Sequence, residues 1–262
     1  MTSSHRYEGS GGTYEGQWLG GFRHGTGNMH FPDGATYEGS WYLGRAHGYG
    51  KYTHVKGETY DGEWADDMRH GIGEMQFLNG VRYHGTWFKN GREGVGAEIL
   101  TEKQTFHGNY SEGKKNGYGI YKWPDGASYE GAWVNNKING FGIYKWADGR
   151  KFTGEWVNCK TGGFGVYNWP DGRRYEGFFQ KDKRQGYGTL LDANNYTYSG
   201  GWLNGKQHGY GFVYTDKGEF KYGMWVNGTK VIKLTPAQAT DVQEGRLDLY
   251  TTIRQKGVED PT

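Results

Sequence analysis

The chain has 262 residues, a formal net charge of +2 and one cysteine. Aromatic residues supply 17% of it, half of the 34% hydrophobic content, and glycine occurs 49 times. So few aliphatic residues exclude an ordinary layered core, the rings and near-neutral charge exclude a disordered polyelectrolyte, and a lone Cys159 excludes an internal disulfide framework.

No run approaches the roughly 18 consecutive apolar residues of a membrane span. The start, Met1-Thr2-Ser3-Ser4-His5-Arg6, has no apolar stretch behind it. No Gly follows Met1 and no Cys lies near the end, so neither lipidation signal is expected. An intracellular, reducing location is the expectation.

Residues 1–13 form a short polar extension, in which Tyr7-Glu8-Gly9 stands out of register with the repeats after it. It is expected to add an irregular first strand. From residue 14 to 228 the chain repeats every 23 residues without insertion or deletion. Repeats start at the aromatic residues Tyr14, Tyr37, Tyr60, Tyr83, Phe106, Tyr129, Phe152, Tyr175 and Tyr198. Two residues on stands glycine: Gly16, Gly39, Gly62, Gly85, Gly108, Gly131, Gly154, Gly177 and Gly200. Four residues on, an aromatic returns: Trp18, Trp41, Trp64, Trp87, Tyr110, Trp133, Trp156, Phe179 and Trp202. A partial repeat starts at 221, where Lys221 replaces the ring and Gly223 and Trp225 keep the register.

Each repeat reads as a β-hairpin. Tyr-x-Gly-x-Trp alternates with period two, so ring, glycine and ring share one face of a strand. Pairs such as Gly20-Gly21, Asn135-Asn136 and Asn204-Gly205 supply the positive φ of a tight turn. A Gly-x-Gly pair, from Gly25/Gly27 to Gly209/Gly211, opens the second strand, and Asp-Gly steps such as Asp125-Gly126 close it. Glycine inside a strand marks a close approach, and the natural partner here is a ring laid over a neighbouring strand's glycine. The predicted fold is all-β: an elongated, single-layer antiparallel meander of about ten hairpins, advancing about 10 Å per repeat.

Residues 229–262 leave the grid. Thr235-Pro236 is a helix start, Ala239, Val242, Leu249 and Ile253 share a helical face, and Gly257 is placed to end it. Gly245 weakens that helix by about 1 kcal/mol. It is expected to cap the last hairpin or to dock a partner.

Tyr-Glu-Gly-x-Trp, then Asn-Gly-Lys-x-His-Gly-x-Gly, then Asp-Gly resembles the MORN repeat (membrane occupation and recognition nexus), and Tyr198–Gly211 carries the middle of the pattern. The resemblance covers residues 14 to 228. It implies a scaffold, in contexts from junctional membrane tethers and lipid-kinase accessory regions to protist cytoskeleton and axonemal radial-spoke heads. A chain made almost wholly of repeats is most similar to the axonemal and cytoskeletal members, so a cilium or flagellum is expected.

The leading binding candidate is a ladder of cations at two adjacent positions in the turn between the two strands: Arg23, Arg45, Arg69, Arg92, Lys114, Lys115, Lys137, Lys160, Lys183, Arg184 and Lys206. Acidic residues one place after the first ring (Glu15, Glu38, Asp61, Glu130, Glu176) lie elsewhere in each repeat. A basic line could read an acidic protein partner or, more weakly, an anionic lipid surface; solvated turn lysines that deter edge pairing are the plain alternative. The histidines at His24, His47, His70 and His208 share one repeat position, but Glu93, Asn116, Asn139, Gly162 and Gln185 occupy it elsewhere, which no shared metal site would tolerate. They read as structural, and no metal, cofactor or nucleic-acid partner is expected.

No serine has nucleophile-elbow context, and the Gly-x-Gly pairs lack the strand-to-helix setting of a phosphate loop. Rings left exposed on a single layer would mark a protein interface. The sequence therefore predicts a non-enzymatic docking platform in a multi-subunit cytoskeletal complex, with a peripheral membrane tether and a regulatory subunit of a separate enzyme as alternatives. Pairing of two copies stays open.

Overall fold

The computed structural model describes residues 3–9, 12–194, 196–249 and 251, with side chains from residue 12 onward. Among the described residues are 21 strands and the helix α1 (Pro236–Gln243). Two compact units divide the chain, residues 1–137 and 138–262. In each, consecutive strands pair antiparallel, as a meander of hairpins should.

The second repeat shows how the sequence builds a hairpin. Thr36–Tyr42 pairs with Arg45–Thr53, Gly39 opposite Gly50 and Tyr37 opposite Tyr52, with a bulge between Gly39 and Trp41. Leu43 and Gly44 make the turn with φ of 46° and 88°, the two positive values a type I′ hairpin turn requires. Asp66-Asp67, Asn135-Asn136, Asn158-Cys159, Lys181-Asp182 and Asn204-Gly205 turn in the same way. Most connections between repeats are longer: Trp146 N–H donates to Arg150 O at 2.9 Å, and Asp148 Oδ1 accepts from Arg150 N–H at 3.1 Å; that between Thr101 and Gln104 is a two-residue turn.

The repeating core of each unit lies on one face of its sheet, and it is the ring-on-glycine arrangement read from the sequence. In the first unit, a Cβ added to Gly73 would meet the Tyr60 ring at 2.3–2.6 Å, and one on Gly62 would meet Gly73 Cα at 2.4 Å. Tyr60 packs edge to face on Trp64 (5.1 Å) and on Trp87 of the next repeat (5.4 Å), and Trp87 Nε1–H donates to Gly73 O at 3.1 Å. The Tyr60 hydroxyl donates into the bulge, to Glu63 O at 2.9 Å. In the second unit Tyr175 packs likewise on Phe179 and Trp202 (5.1 and 5.2 Å), and Trp202 Nε1–H donates to Gly188 O at 3.0 Å. Each buried ring contributes about 1.5–3 kcal/mol. A ring therefore joins its own repeat to the next.

The ends depart from the sequence reading. Ser3–Gly9 pairs regularly with Gly12–Leu19, with Tyr7 opposite Tyr14. The array runs past 228, because Thr229–Leu234 completes a hairpin with Phe220–Val226; the Asn227-Gly228 turn carries the chain back. Helix α1 stops at Gln243, with Gly245 at φ 73°, so Leu249 follows it and does not share its face. Ile253 and Gly257 lie outside the described residues. The start is as expected: Thr235 caps the helix, and Gln238 completes a capping box. Ala239 is buried, and Val242, Leu247 and Leu249 pack with Met224, Ile232 and Leu234, so the tail caps the last hairpin.

Candidate functional site

Successive strand residues point to opposite faces, and this splits the predicted ladder. Arg23, Arg69, Arg92, Lys115 and Arg184 occupy the second of its two positions and turn onto the ring face. Arg23 lies 4.3 Å over Trp41, Arg69 4.7 Å over Trp87 and Arg184 4.1 Å over Trp202. Each of these arginines also donates Nη2–H to a carbonyl of the next tight turn: Arg23 to Gly44 at 2.7 Å, Arg69 to Asn90 at 3.3 Å, Arg184 to Gly205 at 2.8 Å. Burial lowers the pKa of all three guanidinium groups, with nearby Asp67, Tyr60 and Tyr175 opposing it. These side chains lid the rings, by cation–π contacts of about 0.5–2 kcal/mol, and are not a free basic line. That corrects the single ladder expected from sequence.

The first position does face solvent. Arg45, Lys114, Lys137, Lys160, Lys183 and Lys206 are exposed. In the first unit Phe22, Met68 and Gly91 interrupt the row, whereas in the second Lys160, Lys183 and Lys206 occupy consecutive repeats. The histidines stack on the residue after the second ring: His24 and His47 flank Tyr42 at 5.4 and 5.7 Å, and His70 lies 5.3 Å from Phe88. Among the described residues no group of three His, Cys, Asp or Glu could hold a metal ion.

Two features escaped the sequence reading. On the ring face, Glu98 is 7% exposed and bridges Arg92 Nη1 (2.6 Å) and Lys115 Nζ (2.7 Å). Met75, in the preceding repeat, and Met29, nearer the N-terminus, hold the equivalent place, each with its sulfur 3.5–3.6 Å from an arginine, Arg69 and Arg23 respectively. Burial pushes the Glu98 carboxyl up, but the Lys115 ammonium and the Arg92 guanidinium more than offset it and hold it below the ordinary value. Burial pushes Tyr83, beneath the same cluster, up to about 12. The signal was present: a glutamate where other repeats have Met, Tyr, Leu or Val.

The second feature is the opposite face. The middle residue of each Gly-x-Gly projects there, and most are large, apolar and exposed: Tyr49, Ile72, Val95 (67%) and Tyr118 in the first unit, Phe141 (62%), Phe164 and Tyr187 in the second. The acidic residues share this face and are partly engaged. Glu130 accepts from the Tyr118 hydroxyl, and Glu63 and Glu155 accept from the Ile72 and Phe164 N–H groups at 3.0 and 3.3 Å.

No curated protein matches the chain at a significant level. Solved structures similar in fold include the wild-type TCP10 domain of Danio rerio CPAP, at 12% identity over 82% of this chain and 96% of that one (TM-score 0.41). Another is the SAS-4 (dCPAP) TCP domain of Drosophila melanogaster in complex with a proline-rich motif of Ana2 (dSTIL), at 11% identity over 68% and 90% (TM-score 0.38). Both likenesses are too slight to bear on what this chain does. The MORN repeat profile matches residues 14–36, 37–59, 60–82, 106–128, 129–149, 152–173, 175–195 and 198–215, passing over the repeat that contains Glu98. These segments cover well over half of the chain, which therefore belongs to the MORN-repeat family.

Proposed function

We propose that this chain is a non-enzymatic docking platform inside the cell, holding protein partners within a cytoskeletal assembly, an axonemal complex such as the radial-spoke head being the first choice. The observation that carries the reading is the division of labour between the sheet faces. One face is consumed by the rings, glycines and lidding arginines; the other offers large apolar side chains to solvent, the mark of an interaction surface. Repetition adds to this, because weak contacts at 23-residue intervals combine through effective concentration. The axonemal assignment leans on the resemblance of the repeat array to the axonemal members of the family.

Co-purification from ciliated cells tests the reading: a stoichiometric set of cytoskeletal proteins supports it, and a single catalytic partner would favour an enzyme's regulatory subunit. The consecutive exposed cations Lys160, Lys183 and Lys206 support a second reading, a peripheral tether to anionic phospholipid. Flotation with phosphatidylserine vesicles separates the two. The tether predicts binding at low salt that is lost at high salt and on charge reversal of Lys114, Lys137, Lys160 and Lys183.

A further inference from the structure

The second unit shows on its own last hairpin what its apolar face accepts. Tyr210, the middle residue of the final Gly-x-Gly, lies with Met224 and Ile232 on the face opposite the rings, Tyr210 opposite Met224 and Met224 opposite Ile232 in the sheet. There Met224 and Ile232 are buried, with Val242 of α1 and the following Leu247 and Leu249 packed against the cluster. One to three repeats earlier the same strip is bare. Tyr187, Phe178, Phe164 and Phe141 are 55%, 50%, 43% and 62% exposed, and Phe164 packs edge to face on Phe178, at 5.6 Å.

A departure from the repeat deepens the strip at this place. Glu93, Asn139 and Gln185 each reach forward 19 residues to accept a turn N–H, from Glu112, Asn158 and Asn204 at 3.0–3.1 Å. Their counterpart between Asn139 and Gln185 is Gly162, which has no side chain. The turn N–H at the same 19-residue offset from Gly162 is that of Lys181. In place of the missing side chain is a cavity of about 740 Å³, walled by Val157, Thr161, Phe178 and Phe179 and rimmed by Lys160 and Lys181. The volume is within the range of ligand pockets.

We infer that the strip from Phe141 to Tyr187 is the seat of an acidic amphipathic helix from a partner protein, which inserts an anchor side chain into the Gly162 cavity. This rests on the docking-platform reading and names its occupant. The helical form follows from the chain's own tail and from dimensions: one helical turn advances 5.4 Å against about 4.8 Å per strand, so successive turns meet successive strands. The acidic character follows from charge. Lys160, Lys181, Lys183 and Lys206 are exposed at this edge, whereas Glu155 is held by the Phe164 N–H and Glu176 by Arg174. A carboxylate or amide on the anchor would meet the Lys181 N–H.

Selection of random 18-residue peptides displayed on phage against the full chain tests this. The expected winners carry net negative charge and apolar residues spaced three and four apart. Phe178→Glu and Gly162→Asn should each weaken their binding at least about tenfold, as interface hot spots do; Ile72→Glu, on the first unit, should change it less than about twofold. Both test variants have precedents within the array, in Glu63 and Glu155 and in Asn116 and Asn139, so the fold should tolerate them; circular dichroism checks this. Basic or non-helical winners, or winners indifferent to both variants, would overturn the inference. Winners lost only on charge reversal of Lys160, Lys183 and Lys206 would leave a docking platform without this seat, and no enrichment at all would overturn both. Loss by Phe178→Glu of self-association in sedimentation, or of binding to phosphatidylserine vesicles, would assign the strip to a second copy or a membrane and sink the helix.

Discussion

The repeat at 83–105 and its regular neighbours share the hairpin pairing; its second strand runs on to Thr101, and one place on the ring face is filled differently. At Met75 a thioether lies under Arg69; at Glu98 a carboxylate of similar length lies under Arg92 and draws in Lys115 from the next repeat. The next repeat carries Tyr110 where most have Trp, still packed 5.1 Å from Tyr83. The scaffold thus accepts a charge in its thin core provided that the lidding cations are already present. A regular junction relies on burial and ring contact, and the variant one on ion pairing, so the two should fail under different conditions.

Removing a ring from a regular junction should have the largest effect. Tyr60→Ala, which loses contacts to Trp64, Trp87 and Gly73, should cost about 3–5 kcal/mol, read as lost hydrogen-exchange protection in the flanking strands. Glu98→Ala leaves Arg92 and Lys115 partly buried without their carboxylate and should cost about 2–4 kcal/mol, discounted for the exposure of the two cations.

Acid should reach only the variant junction in this way. Because the folded-state pKa of Glu98 is depressed, its contribution is present above the ordinary glutamate value near 4.3 and fades as pH falls through the folded value. Melting of wild type and Glu98→Gln between pH 3 and 7 should converge at the acid end; parallel curves would mean that the pairing adds nothing.

Transplanting the charge tests the requirement for two cations. Met75→Glu would find Arg69 and, at the offset that separates Glu98 from Lys115, Arg92. Met29→Glu would find Arg23 but, at that offset, Ala46. The second substitution should be the more destabilising, by about 1–2 kcal/mol, the cost of a charge left half paired; equal losses in denaturant titration would break the comparison. The smallest effect belongs to a turn common to both kinds of repeat. Cys159 adopts φ 64°, and Cys159→Gly should stabilise by about 1 kcal/mol or less, by relieving the left-handed backbone.

The hairpins, the tight turns and the contact of Tyr60 with Gly73 were readable in the residues, since a period of 23 with fixed internal spacing leaves one way to pair rings with glycines. The cation ladder was misread for a physical reason. Lys114 and Lys115 are neighbours in sequence, and strand alternation sends them to opposite faces. The same rule, applied beyond the rings, would have placed Arg69 over Trp87. Glu98 and Gly162 are single substitutions in a repeat, and their meaning depends on what surrounds the vacated or altered place. The length of α1 was overestimated because Leu249 and Ile253 continue the apolar spacing past Gly245, whose positive φ ends the helix.

The indole bonds limit how such a chain can change its length. Trp64 Nε1 donates to Gly50 O at 2.9 Å and Trp133 Nε1 to Gly119 O at 3.2 Å, both 14 residues back across a repeat boundary. Excising one whole repeat leaves the indoles that make this bond facing equivalent carbonyls, whereas excising one residue fewer strands the donor and turns the following rings onto the wrong face. Growth and shortening of the array are thereby quantised in complete 23-residue steps.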